Sequence, residues 1–247
     1  MQAKLSKKFV AVACALLLWQ GAATLLKQPL LLASPYQVGV RLLALVRTQD
    51  FWLRILQSAG RISSGLMLGI GIGVLFAALA ARSSALQTLF EPYFSVLKSI
   101  PVASFIILAL MWLRARQLST LISMMVVLPL IYFNALQGFL APDKQLLEMA
   151  RVFHFSYVDS LRLIRLPALL PFLRGALQSA VGMAWKSGIA AEVIGLPDGT
   201  IGEKLYDAKI YLSTADLFAW TAVLILLSAI FEKLFLYIAD RLMKGRM

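Results

Sequence analysis

The side chains able to do chemistry in this sequence are few and unusually placed. Lys186 lies in the run Gly-Met-Ala-Trp-Lys-Ser-Gly-Ile-Ala-Ala-Glu, which starts at Gly182 and ends at Glu192. A cation in so apolar a stretch must be hidden or used. Glu192 follows six residues later, about 240° around an ideal helix, so the two do not pair within one helix. A single cysteine, Cys14, and a single histidine, His154, exclude a disulfide framework and a Cys/His metal cluster, so no metal site is expected. Cys14 sits in an apolar run and reads as a packing residue. The sequence carries no phosphate-cradling Gly-Lys-Ser/Thr loop, no His-Glu-x-x-His element and no nucleophile elbow. No catalytic residue is therefore expected, and the chain cannot be its own ATPase. A Ser and Lys186 pair is the one hydrolytic arrangement left open.

Composition defines the elements that must position these groups. Of the 247 residues, 60% are hydrophobic and 15% charged, and the mean hydropathy is +0.81. Soluble domains run nearer about 45–50% apolar even counting glycine, so an ordinary soluble enzyme is excluded. The fold class is all-α, a polytopic membrane protein. Twenty-four Lys and Arg against 12 Asp and Glu give a net charge of +12. The basic residues flank apolar runs, where anionic head groups account for them, and nucleic acid is not an expected partner.

Six spans of roughly 20 residues are expected in one domain covering 1–247, at about 9–26, 58–81, 93–113, 118–140, 169–193 and 217–239. The first is longer than a signal h-region and reads as an uncleaved span. Lys4, Lys7, Lys8, Lys144, Arg151, Arg241 and Lys244 weight the amino-terminal side with positive charge, which places both termini in the cytoplasm. Arg41 to Gln57 reads as one interfacial amphipathic helix. Gly195, Pro197, Gly199 and Gly202 punctuate an external loop that runs on to Asp216.

Gly65, Gly69 and Gly73 recur at four-residue intervals in the second span. Glycines so spaced share a helix face and admit another backbone, so they read as a packing seam. Pro101, Pro129 and Pro171 each remove a backbone donor and bend a helix. Lys186, near mid-span, costs about 3 kcal/mol on insertion scales and is expected to point inward. There it either lines a translocation pathway that favours an anion, or pairs with a neighbouring span or snorkels. Arg61 and Lys98 are nearer span ends, where long stems reach head groups.

Between the fourth and fifth spans lies 141–167, too polar to cross a membrane. Pro142 and Asp143 open it, and Leu146, Met149, Ala150, Phe153 and Tyr157 then recur at helical spacing. It is expected to be a short amphipathic helix, resting on the membrane surface or docking into another protein.

Within it, Glu148-Met149-Ala150-Arg151 and the later Ile164-Arg165-Leu166-Pro167 resemble the cytoplasmic loop signature of binding-protein-dependent ABC importer permeases. The resemblance extends from Ser34-Pro35 to about Phe235, and includes Ser99-Ile100-Pro101, Gly182 to Trp185 and Ala191-Glu192. It is nearest the nitrate, sulfonate and taurine subfamily. It implies a type I importer permease fold with a coupling helix that inserts into a cytoplasmic ABC ATPase. Met149, Phe153 and Tyr157 would be the apolar anchors, Glu148 and Arg151 the polar rim, and Leu166-Pro167 the end of the signature. It implies two ATPase subunits that hold the ATP and Mg, a second permease copy, an extracytoplasmic binding protein, and a small anion as cargo. Glu192 matches a family acid at the outer end of the fifth span, with a role in gate or interface structure. Two departures stand out: Met149 replaces an alanine, and His154 replaces a glycine that allows a tight turn. His154 therefore implies either a continuous helix or a left-handed residue. A secondary transporter with Lys186 in its pathway is the competing reading, although no internal repeat supports it.

Overall fold

The structure, a computed structural model, describes the backbone of residues 2–28 and 30–244, and the side chains of residues 10–28, 30–156 and 158–241. Among these residues there is no strand. The helices are α1 (Gln2–Leu26), α2 (Pro35–Val46), α3 (Gln49–Ala80), α4 (Ser84–Ser99), α5 (Val102–Ala109), α6 (Ala115–Leu140), α7 (Lys144–Val152), α8 (Tyr157–Ser160), α9 (Leu166–Gly195), α10 (Ile201–Ile210) and α11 (Thr214–Lys244), with a π-helical turn over Leu161–Arg165 between α8 and α9.

Local chemistry sets several boundaries. Pro35 fills the first position of α2, where its missing N–H costs nothing. Ser34 and Gln37 form a reciprocal capping box in front of it. Thr48 accepts from the Phe51 amide and starts α3. That cap corrects the expectation of one interfacial helix over 41–57: the first part belongs to α2, and the second is the opening of α3. Thr200 caps α10 by accepting from the Glu203 amide, so the expected loop from Gly195 to Asp216 contains a helix.

α3, α6 and Thr214–Arg241 of α11 are each long and apolar enough to cross a membrane. The expected span at 93–113 is not one rod: α4 and α5 meet at 97° across Ile100 and Pro101. Proline acts differently elsewhere, because α6 continues through Pro129 and α9 through Pro171.

The core is the contact of α3, α6 and α9. Ile62 and Leu66 of α3 meet Val127 and Ile131 of α6, and Ala180, Ala184 and Trp185 of α9, all buried. On α3 the glycines allow this approach. A β-carbon at Gly65 would lie 2.3 Å from the Thr120 carbonyl oxygen of α6, and one at Gly69 would lie 2.9 Å from the Met124 carbonyl oxygen. At Gly73 it would stand 3.0 Å from Ile131. Gly71, on the other face, has open space. α4 joins through Phe94, whose ring stacks on Tyr132 at 3.9 Å between centroids. α2 is tied to α11 by the two-pronged ion pair of Arg41 and Asp216. α1 and α11 turn Leu17, Leu18, Leu25, Ile225 and Ile230 outward, as expected of helices solvated by lipid. Cys14 is exposed on α1, not packed as its sequence context suggested.

Gly65→Ala is expected to push α3 off α6 and to destabilise the protein by about 1–3 kcal/mol, read as a lower unfolding temperature in detergent. Gly71→Ala, on the open face, is expected to leave that temperature unchanged or slightly raised.

Candidate functional site

Two regions gather the polar side chains, one at each end of the three-helix core. At one end, α7 is the amphipathic segment. Asp143 caps it by accepting from the Gln145 amide at 3.1 Å. It ends in a reversal: the Phe155 amide donates to the Ala150 carbonyl at 2.9 Å and the His154 amide donates to the Arg151 carbonyl at 3.1 Å, with His154 at φ +51°. This is the hydrogen-bond pattern of a Schellman turn, in which the left-handed position is normally glycine. Of the two alternatives the substitution left open, the left-handed residue is the one adopted. Ser156 then caps α8, accepting from the Asp159 amide, and the chain passes without a break through the π-helical turn into α9, which begins at Leu166-Pro167.

On α7 and its turn, Ala150 is buried, while Leu146, Met149, Val152 and Phe153 are exposed, Phe153 at 69%. Glu148 and Arg151 are exposed beside them and make no ion pair among the described residues. The Tyr157 side chain lies outside the described residues. The segment thus presents an unpartnered apolar stripe with charges at its edge, on a stem continuous with a core helix.

At the other end, Glu192 is wholly buried near the close of α9. Ser58 of α3 donates to it at 2.7 Å, Ser119 of α6 at 3.1 Å, and the Gly202 amide of α10 at 3.3 Å. The Ser58 hydroxyl in turn accepts from the Ile201 amide at 3.0 Å. The first three amides of α10 are thus satisfied by Ser58, Glu192 and Thr200, and an acidic group stands at the positive end of that helix. A β-carbon at Gly202 would fall 2.2 Å from that of Glu192, so only glycine fits there. Beside this knot, Arg54 of α3 bridges Asp50 and Glu203, and Glu203 also accepts from the Gly199 amide at 2.7 Å. Burial alone would raise the Glu203 pKa, but the Gly199 amide and the Arg54 guanidinium outweigh it and hold the carboxyl below its usual range.

Lys186 does not point into the interior of the chain, contrary to expectation. Its neighbours Trp185 and Ser187 are buried, but Lys186 itself is exposed, and among the described residues it bonds neither to a serine nor to Glu192. Sequence reasoning missed Ser58, Ser119 and the capped start of α10. Only the last left a signal, the three-residue spacing of Thr200 and Glu203 at the start of a helix.

A bundle with a polar knot at one end and an exposed amphipathic helix at the other fits a membrane permease, and comparison with known proteins gives the class. Residues 69–245 match the family described as binding-protein-dependent transport system inner membrane component. The chain belongs to this family and is a permease component of an ABC importer. It is 24% identical to the putative aliphatic sulfonates transport permease protein SsuC of Bacillus subtilis, over 87% of this chain and 78% of that one. To the taurine transport system permease protein TauC of Escherichia coli it is also 24% identical, over 90% and 82%. It is 29% identical to the nitrate import permease protein NrtB of Synechococcus elongatus, over 63% and 56%. Its fold resembles a crystal structure described as an amino acid ABC transporter with histidines, with a TM-score of 0.61 at 19% identity, covering 81% of this chain and 97% of that one.

Glu192→Leu is expected to strand the Gly202 amide and two serine hydroxyls, at a cost of about 3 kcal/mol, and to increase hydrogen exchange at the start of α10. The Glu203 contribution has a definite sign. Its folded pKa lies below the ordinary 4.5, so its stabilisation is complete above that value and is lost as pH falls through the folded pKa. Unfolding midpoints measured from pH 7 to pH 3 should fall less in Glu203→Gln than in the parent.

Proposed function

We propose that this chain forms half of a two-fold importer core, crosses the membrane six times with both termini in the cytoplasm, and is driven by two ATPase subunits that bind ATP and Mg. The single observation that carries the reading is α7. Its exposed stripe of Leu146, Met149 and Phe153, rimmed by Glu148 and Arg151, has the form of an apolar helix built to lie in a groove. A helix seated only on lipid would need no rigid stem. This one reverses sharply at His154 and is joined through α8 and the π-helical turn to α9, so displacement of α7 by a closing ATPase pair reaches the core directly. Leu166 and Pro167 are the junction at which that motion enters α9.

The opposite end, with α10 and the loop before it, would receive the binding protein, and its fixation by Glu192 and Glu203 supports that assignment. The cargo is a small anion such as a sulfonate, nitrate or a related compound. This follows the named relatives and is supported by Lys186, which is exposed on a flank of α9 and has no acidic partner among the described residues. That flank would face the pathway once a second copy closes it, and most closed assemblies of this kind use two-fold symmetry.

Glu148→Arg reverses the charge at the rim of the stripe without touching the core. It is expected to abolish transport in cells and to prevent co-purification of the ATPase, while the unfolding temperature stays within about 1 °C of the parent, since exposed sites contribute little to stability. Undiminished transport with the ATPase still bound would return α7 to a surface role.

A further inference from the structure

We propose that Lys98 is the anion-recognising group of a binding station for a small organic anion at mid-membrane, in the cavity where α4 breaks from α5. This rests on the permease reading above and assigns it a site. The cavity has a volume of about 170 Å³ and lies between the end of α4, the start of α5, α6 and α9. Pro129 and Met183, on its walls, lie near the middle of α6 and α9, so the cavity falls at the depth of the hydrocarbon core.

Proximity to a span end suggested that Lys98 reaches for head groups. Instead its Nζ stands over the Phe133 ring, 5.8 Å from the centroid, and it lines the cavity. Among the described residues it has no acidic partner. A cation at this depth is costly unless it faces water, a carboxylate or a ligand, and the ring offsets only part of that cost. Asn134, on the same wall, spends one N–H on the Leu130 carbonyl at 2.8 Å and keeps the other as a donor. One cation and one amide donor suit an oxyanion head group. The rest of the lining is aliphatic, aromatic or thioether. A strongly hydrated inorganic ion would lose its water there to walls that cannot replace it, whereas the tail of an organic anion is at home. The break that opens the cavity comes from Pro101, so the site depends on the bend.

Lys186 extends the route. It lies three residues beyond Met183, and both are exposed on one flank of α9. An anion leaving the α10 end would pass Lys186 and then reach Lys98, two cationic stations in series.

The test uses the assembled complex in nanodiscs, with Cys14→Ala and Met183→Cys, so that one thiol reports from the cavity wall. Its modification rate is measured with 2-sulfonatoethyl methanethiosulfonate, an organic sulfonate, and with the trimethylammonium analogue. With Lys98 present the anionic reagent is expected to be favoured. Lys98→Met should lower the anion-to-cation rate ratio by about tenfold, and Lys98→Arg should keep it. Asn134→Cys repeats the measurement from the α6 wall should Met183→Cys fail to assemble. An unchanged ratio in Lys98→Met, or a thiol closed to both reagents, in a complex that hydrolyses ATP overturns the Lys98 station alone. A parent preparation with no bound ATPase overturns the proposed drive by ATPase subunits instead.

Discussion

The buried carboxyl of Glu192 is the contact on which the geometry of one whole end of the molecule depends. Through three hydrogen bonds it draws Ser58 of α3, Ser119 of α6 and the start of α10 onto the end of α9. Each partner belongs to a different helix, so no single helix can rotate or slide without breaking a bond in a place that offers no water to replace it. In lipid, where apolar contact gives little preference for one helix arrangement over another, such a knot specifies register. The Arg54 bridge to Glu203 repeats the logic nearer the surface.

Away from the knot the same helices are held mainly by closeness, with single hydroxyl-to-carbonyl bonds between them. The glycines of α3 bring backbone onto α6, and Gly188 does the same for α9: a β-carbon there would lie 2.6 Å from the Ser123 hydroxyl and 2.7 Å from Ile62. Ser123 itself donates to the Ala184 carbonyl at 3.0 Å. Three helices therefore cross at contact distance about small residues. The apolar side chains that a soluble protein would bury are left on the outside, on α1 and α11.

Much of this was legible in the sequence. The glycine spacing on α3 named a face, because a four-residue repeat has only one meaning on a helix. The polarity of 141–167 and its stripe located α7 between the fourth and fifth expected spans. What could not be read depended on tertiary contacts. Ser58 and Ser119 are unremarkable in sequence and acquire meaning only when three chain segments converge. Lys98 read as a head-group contact because a linear reading placed it in a straight span, whereas α4 and α5 meet at 97° just beyond it and its Nζ stands over the Phe133 ring. α10 was missed because Gly195, Pro197 and Gly199 before it and Gly202 within it outweighed the cap at Thr200. His154 could not be resolved from sequence because its residue type disfavours, without forbidding, the backbone conformation that the turn demands.

The π-helical turn over Leu161–Arg165 has a consequence for phase. A π turn holds one residue more than the α turn it replaces, so it sets the angular position of every side chain on α9 relative to the stem below it. Were the turn to tighten into α geometry, the helix above would rotate on its axis by roughly the angle of one residue, about 100°. Lys186 and Glu192 share that axis, so one would sweep away from its flank while the other was drawn from its hydrogen bonds. A five-residue segment thus acts as an indexing notch: it fixes which side chains of α9 face which way.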